Sequence, residues 1–176
     1  LEDFDGELNK VELRRMSYLQ KMATVVGRRA WQNAGSPEVD TRRLAVSVGT
    51  GMGSSEELLF AYDAMRTKGL RAVSPLVVQK FMPNGPAAVI GLELGAKAGV
   101  TTVISACASG SEAIATAWRN IAYGEADMAI CGGVEKSRSP PTRSVSTGEV
   151  WTSVYLSSSG VAGQTSAARP PPQTNA

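Results

Sequence analysis

The stretch from Val100 to Ile114 constrains the fold more than any other part of the chain. Thr101, Thr102, Val103 and Ile104 are β-branched and predict a strand over 100–105. Ser105-Ala106-Cys107-Ala108-Ser109-Gly110 follows, a run of small residues that allows a tight turn. Ser109 with Glu112 three positions on has the spacing of a capping box, which predicts a helix from Ser109 to about Tyr123 with Gly124 as its stop. A strand feeding a helix through such a turn is the unit of an α/β fold with a largely parallel sheet. Cys107 lies in the turn, aimed at the N-terminus of the helix. Unpaired N–H groups and the positive dipole end there favour a thiolate over a thiol, so Cys107 is a candidate nucleophile. A backbone N–H of the same turn could help hold an oxyanion. The pattern differs from the hydrolase elbow, because Ser105 stands where the first glycine belongs.

The same alternation recurs along the chain. Leu8, Val11, Met16, Leu19, Ala23, Val26 and Ala30 recur mostly at three- and four-residue steps and predict one amphipathic helix over about 8–33, ended at Gly35. Leu44–Val48 reads as a short buried strand. Gly49-Thr50-Gly51-Met52-Gly53 then turns the chain. Ser54 and Glu57 predict a cap for a helix with Leu58, Tyr62 and Met65 inside and Lys68-Gly69 at its end. This turn departs from a dinucleotide fingerprint, since Ser54 occupies the third glycine position, and it reads as a tight backbone turn. A short helix is expected from Ser74-Pro75 to Phe81, and a buried one over Ala87–Ala96 with Pro86 in its first turn. Asp127 to Cys131 is a further apolar strand, ended by Gly132-Gly133, with Cys131 a packed core thiol. Tyr62, Met65 and Trp118 read as core or interface, and Glu112 as a cap and not a general base.

Composition removes several function classes. The chain has 176 residues and a net charge of +2, and neither cysteine has a CxxC or Cys/His spacing that suggests zinc. Residues 1–135 are so near neutral that nucleic acid is not an expected partner. No run of about 18 apolar residues predicts a membrane span. The expected setting is a reducing, cytoplasmic compartment. Neither a metal nor a dinucleotide cofactor is expected from these motifs. The chain also contains no histidine, which excludes a self-contained Cys-His or Ser-His pair within these residues. After Glu135 the composition turns to Ser, Thr and Pro. Residues 136–176 read as a disordered tail, in which Trp151, Val154, Tyr155 and Leu156 could form one short strand.

Several motifs taken together resemble a known family. Ser105-Ala106-Cys107-Ala108-Ser109-Gly110 with Ala113-Ile114, then Gly124-Glu125-Ala126-Asp127 and Gly132-Gly133-Val134-Glu135, is similar to the nucleophile region of β-ketoacyl-[acyl-carrier-protein] synthases. Val48-Gly49-Thr50-Gly51 and Pro83-Asn84-Gly85-Pro86-Ala87-Ala88 also fit. A finer resemblance is to mycobacterial Kas-type enzymes that elongate mycolic-acid precursors. It rests on Leu1-Glu2-Asp3-Phe4-Asp5, Arg14–Gln20 and Ala34–Asp40. The resemblance covers residues 1–135. It implies a thiolase-like α/β fold, of which 1–135 would be part of the N-terminal half. It implies that Cys107 takes an acyl chain from acyl carrier protein, and that malonyl carrier protein is decarboxylated to extend that chain. Acyl carrier protein, its acyl and malonyl thioesters, and a second copy in a homodimer are the implied partners. The region from Gly51 to Ser54 and the helix near Val77–Phe81 would line the acyl pocket or the dimer interface.

The departures from that family are as informative. Its two catalytic histidines and paired lysine lie in a C-terminal half, and the residues after Glu135 do not resemble its continuation. The first strand and helix are expected to lie before Leu1. The expected reading is therefore a fragment that acylates weakly at best, with a frameshift or gene-model error after Glu135 as one origin. A non-catalytic dimerisation or carrier-protein-binding subunit is the alternative, favoured by the lack of histidine and disfavoured by the retained Cys107.

Overall fold

A computed structural model describes residues 6–136, 150–157 and 160–167. Its centre is strand β1 (Leu44–Gly49), every residue of which is buried. β2 (Gly99–Thr101) and β3 (Met128–Glu135) flank it in parallel, with Ala45 opposite both Gly99 and Ala129. β4 (Val150–Ser157) and β5 (Gly160–Ala167) extend the sheet antiparallel beyond β3, giving the order β2-β1-β3-β4-β5. The fold is the α/β class expected, with a parallel core.

Parallel strands covered on both faces read as continuous apolar runs, and β1 shows why. Val46 and Val48, with Ile130 and Val134 of β3, pack against helices α2 (Tyr18–Asn33) and α5 (Gly85–Leu94) through Leu19, Met22, Val26, Ala87 and Ile90. Ala45, Ala129 and Cys131 point the other way, as the two-residue period of a strand requires, and meet α6 (Ser109–Ala122) through Ala117. The second face is built almost wholly of small side chains, so α6 lies close on the sheet.

The single amphipathic helix expected over 8–33 is two helices, α1 (Lys10–Arg15) and α2. Each has its own capping box: the Asn9 side chain accepts from the Val11 and Glu12 N–H groups, and the buried Ser17 pairs with Gln20. A capping serine needs extended backbone, so the helix breaks at Met16–Ser17 even though the apolar period runs through it. Arg28 then ties the pieces together, donating to Glu12 at 2.6 Å, to the Glu7 carbonyl at 2.7 Å and to Glu93 of α5.

Helices α3 (Ser55–Lys68) and α4 (Val77–Phe81) bury no residue. Leu58, Tyr62 and Met65, expected inside, are exposed, because α3 packs chiefly against α4 and the Leu70–Ala72 turn and not on the sheet. Trp118 on α6 is exposed as well. The cap expected from Ser54 does not form, since its hydroxyl donates to the Ser17 hydroxyl at 2.8 Å. β2 is three residues, shorter than the strand expected over 100–105, and β3 continues through Gly132-Gly133 to Glu135. Within 136–176, where one short strand was expected, the described residues form β4 and β5, β4 opening on the strand-favouring Val150, Trp151 and Thr152. Residues 137–149, 158–159 and 168–176, on which the rest of that expectation falls, lie outside the described residues, as does the Leu1–Asp5 motif. No helix among the described residues is long and apolar enough to cross a membrane.

Candidate active site

The carboxyl ends of β1 and β3 and the turn that leads from β2 into α6 meet around a cavity of about 330 Å³. Open parallel sheets place ligands at the carboxyl ends of their strands. Cys107 lines this cavity and is exposed. It sits in a single 3-10 turn, Ala106–Ala108, that runs directly into α6.

Two features hold Cys107 at that position. Ala106, the residue before it, has φ of 49°, a left-handed conformation that costs a non-glycine residue about 1 kcal/mol or more. Ser109 braces the turn from inside the helix, where its hydroxyl accepts from the Ser105 N–H and donates to the Ala106 carbonyl, both at 2.8 Å. The capping box expected from Ser109 and Glu112 is therefore absent. Ser109 is the first residue of α6, its hydroxyl is committed to the turn, and no side chain among the described residues caps the helix N-terminus. The positive end of the α6 dipole thus faces the cavity, where it stabilises negative charge.

Close approach of α6 to the sheet depends on glycine. A Cβ on Gly49 would lie 2.1 Å from the Ser109 carbonyl oxygen, and one on Gly133 would lie 2.8 Å from the Gly110 Cα. No side chain fits in either gap. The turn after β1 forms another wall. Its Thr50 N–H donates to the Val103 carbonyl at 3.2 Å, and Gly53 takes φ of 62°. The same turn lines a second cavity of about 320 Å³, through Met52 and Gly53, on the side of Leu59 and Phe60.

Glu135 was not singled out from the sequence, yet it lines the cavity and accepts from the Gly51 N–H at 2.5 Å, the Met52 N–H at 3.2 Å and the Thr50 hydroxyl at 3.3 Å. The available signal was an acidic residue at the carboxyl end of an apolar strand. Glu112 does not line the cavity. No group of three or more His, Cys, Asp or Glu among the described residues could hold a metal ion.

Cys131 is fully buried on the α6 face, and burial pushes its thiol up to about 12, so it is protonated at neutral pH. Iodoacetamide at neutral pH is therefore expected to label Cys107 in the folded chain and to reach Cys131 only after unfolding. Peptide mass spectrometry reads this out. Equal labelling of both thiols would contradict the burial of Cys131.

A family model for β-ketoacyl synthase, N-terminal domain, matches residues 1–153, continuing past Glu135 into β4. The 3-oxoacyl-[acyl-carrier-protein] synthase 2 of Mycobacterium leprae is 70% identical over 135 residues, a span that covers 77% of this chain and 32% of that protein. The chain thus spans about a third of the length of this curated relative. Among solved structures, a β-ketoacyl synthase from Burkholderia phymatum is similar with a TM-score of 0.64 at 28% identity, covering 79% of this chain and 35% of that one. A type II PKS ketosynthase in complex with its acyl-carrier protein shares the fold with a TM-score of 0.71 at 22% identity, covering 78% of this chain and 40% of that one. The family match over residues 1–153 and the identity to the mycobacterial synthase agree with the α/β architecture: this chain belongs to the β-ketoacyl synthase family and corresponds to part of its N-terminal region.

Proposed function

We propose that this chain is the acyl-accepting part of a β-ketoacyl-[acyl-carrier-protein] synthase, with Cys107 as the acyl acceptor. The observation that carries the reading is the exposed Cys107 at the cavity, on a strained turn at the uncapped start of α6. The Cys107 Sγ attacks the acyl carbonyl of an acyl carrier protein thioester. The new C–S bond forms as the carrier's C–S bond breaks, and the carrier thiol leaves with the proton that Cys107 gave up. Negative charge on the tetrahedral oxygen develops near the positive end of the α6 dipole.

In the complete reaction malonyl carrier protein loses carbon dioxide, and the resulting carbanion attacks the Cys107 thioester. A C–C bond forms, the C–S bond breaks, and the chain is two carbons longer. These 176 residues contain no histidine, so imidazole assistance to decarboxylation must come from residues outside them. Acylation without condensation is the activity this chain itself supports. The identity to a 3-oxoacyl-[acyl-carrier-protein] synthase 2 supports acyl carrier protein thioesters as the substrate class, while mycolic-acid elongation and a homodimeric assembly are what the motif resemblance implies. A cytoplasmic location suits a mechanism that depends on a reduced thiol.

The test is incubation with a long-chain acyl carrier protein, followed by peptide mass spectrometry for an acyl adduct on Cys107. An adduct is the expected result. Carrier protein that binds with no adduct would replace this reading with the carrier-binding subunit, and neither binding nor adduct would end both.

A further inference from the structure

Glu135 closes β3, and one of its carboxylate oxygens gathers three donors from consecutive residues: the Thr50 hydroxyl and the N–H groups of Gly51 and Met52. Successive backbone N–H groups converging on one oxygen form a nest, a concavity suited to an anion. Here the anion is the protein's own side chain. Ordinary turns do not need such a device, so what the clamped turn touches is informative.

Gly51 lies between the carboxylate and the turn that carries Cys107. A Cβ built on Gly51 would be 2.9 Å from Glu135 Oε2 and 3.6 Å from the Ala106 carbonyl oxygen. Ala106 is the residue in the left-handed conformation, and such a conformation persists only where its surroundings hold it. Ser109 holds the Ala106 carbonyl from the helix side. The Thr50–Met52 turn, held by Glu135, lies beside the same carbonyl, and Gly51 and Ala106 line the same cavity. Two other bonds fasten that turn, Thr50 N–H to the Val103 carbonyl and Gly53 N–H to the Thr50 hydroxyl, both at 3.2 Å, but neither restrains Gly51 or Met52 directly.

We propose that Glu135 is a positioning residue, whose carboxylate clamps the Thr50–Met52 turn against Ala106 and thereby fixes the Cys107 thiol at the start of α6. It acts through the turn, by the bonds of its carboxylate oxygen to Thr50, Gly51 and Met52. The proposal rests on the reading of Cys107 as the acyl acceptor, but its test measures the thiol itself. The clamp needs an acceptor oxygen at that reach and does not need the negative charge. Glutamine preserves it, aspartate falls one methylene short, and alanine removes it.

The experiment follows the rate of Cys107 alkylation by iodoacetamide against pH, in the full chain and in Glu135→Gln, Glu135→Asp and Glu135→Ala, with circular dichroism to confirm folding. Glu135→Ala is expected to slow alkylation about tenfold, the scale of a displaced reacting group, while Glu135→Gln stays within about twofold with an unchanged pH profile. If the alanine variant does not fold, the aspartate variant decides, and a slowed rate is expected. A folded Glu135→Ala or Glu135→Asp chain that alkylates at the parent rate would overturn the proposal. So would a glutamine variant as slow as alanine, since that would assign the effect to charge. Failure of acyl transfer in the parent, with this alkylation pattern intact, would sink the acyl-acceptor reading alone.

Discussion

Gly49→Ala is expected to lower the thermal midpoint of this chain by about 10 °C, an effect on the scale of roughly 3 kcal/mol of overpacking in a domain of this size. The atom that blocks the new methyl is backbone. A Cβ at Gly49 falls 2.1 Å from the Ser109 carbonyl oxygen, 2.4 Å from its carbon and 3.0 Å from the Gly110 nitrogen, so the first turn of α6 must move by more than an ångström. That movement lifts the start of α6 off both strands, because Gly110 faces Gly133, the β3 partner of Gly49. Gly27→Ala is the matched control. The three atoms nearest its Cβ would all belong to the Ile90 side chain, at 3.0–3.6 Å, so a side chain has to give by a few tenths of an ångström where at Gly49 backbone must move by about an ångström. Differential scanning fluorimetry of the two variants separates the cases. A Gly49→Ala chain that melts within about 2 °C of the parent would mean that α6 is not seated on the sheet as described. The displacement also carries Ser109, so the same variant should lose reactivity at Cys107 below its melting point, through loss of the brace on Ala106.

How much of this could be read from the chain follows from which forces are local. The Cys107 junction, the Gly49–Gly53 turn and the alternation of strand and helix were legible, because β-branched runs, small residues and glycine act on the backbone where they stand. The break between α1 and α2 was hidden for the opposite reason: the apolar period passes through Met16 undisturbed, while the break is made by the Ser17–Gln20 capping box. Ser109 and Ser54 have the spacing of caps, yet each hydroxyl has a better partner, one in the Ala106 turn and one on Ser17, 37 residues away in sequence. Periodicity also says which side chains share a face, not whether anything covers that face. Leu58, Tyr62 and Met65 share a face of α3 that the described residues leave open. Glu135 was the costliest omission. Its partners lie 84 residues upstream at Gly51, and only the parallel pairing of β1 with β3 brings the two strand ends together.

Cys107→Ala is expected to abolish the acyl adduct, reducing it by at least about three orders of magnitude, while leaving the fold and its melting temperature close to the parent's. The side chain is exposed, so losing its sulfur removes little packing. The bonds that brace the turn among the described residues come from Ser109. No second thiol can substitute. Cys131 lies on the α6 face of the sheet, fully buried and held protonated by its surroundings, and it does not line the cavity. Cys131→Ala should therefore show the reverse pattern, with adduct formation retained and stability lowered by about 1 kcal/mol or more for the hole left in a close-packed layer. The pair of variants, each assayed for adduct by peptide mass spectrometry and for stability by urea unfolding, assigns chemistry to one cysteine and packing to the other. An adduct that persists at full yield in Cys107→Ala would place the acceptor on another side chain. In that case the strain at Ala106 and the brace from Ser109 would serve the fold alone.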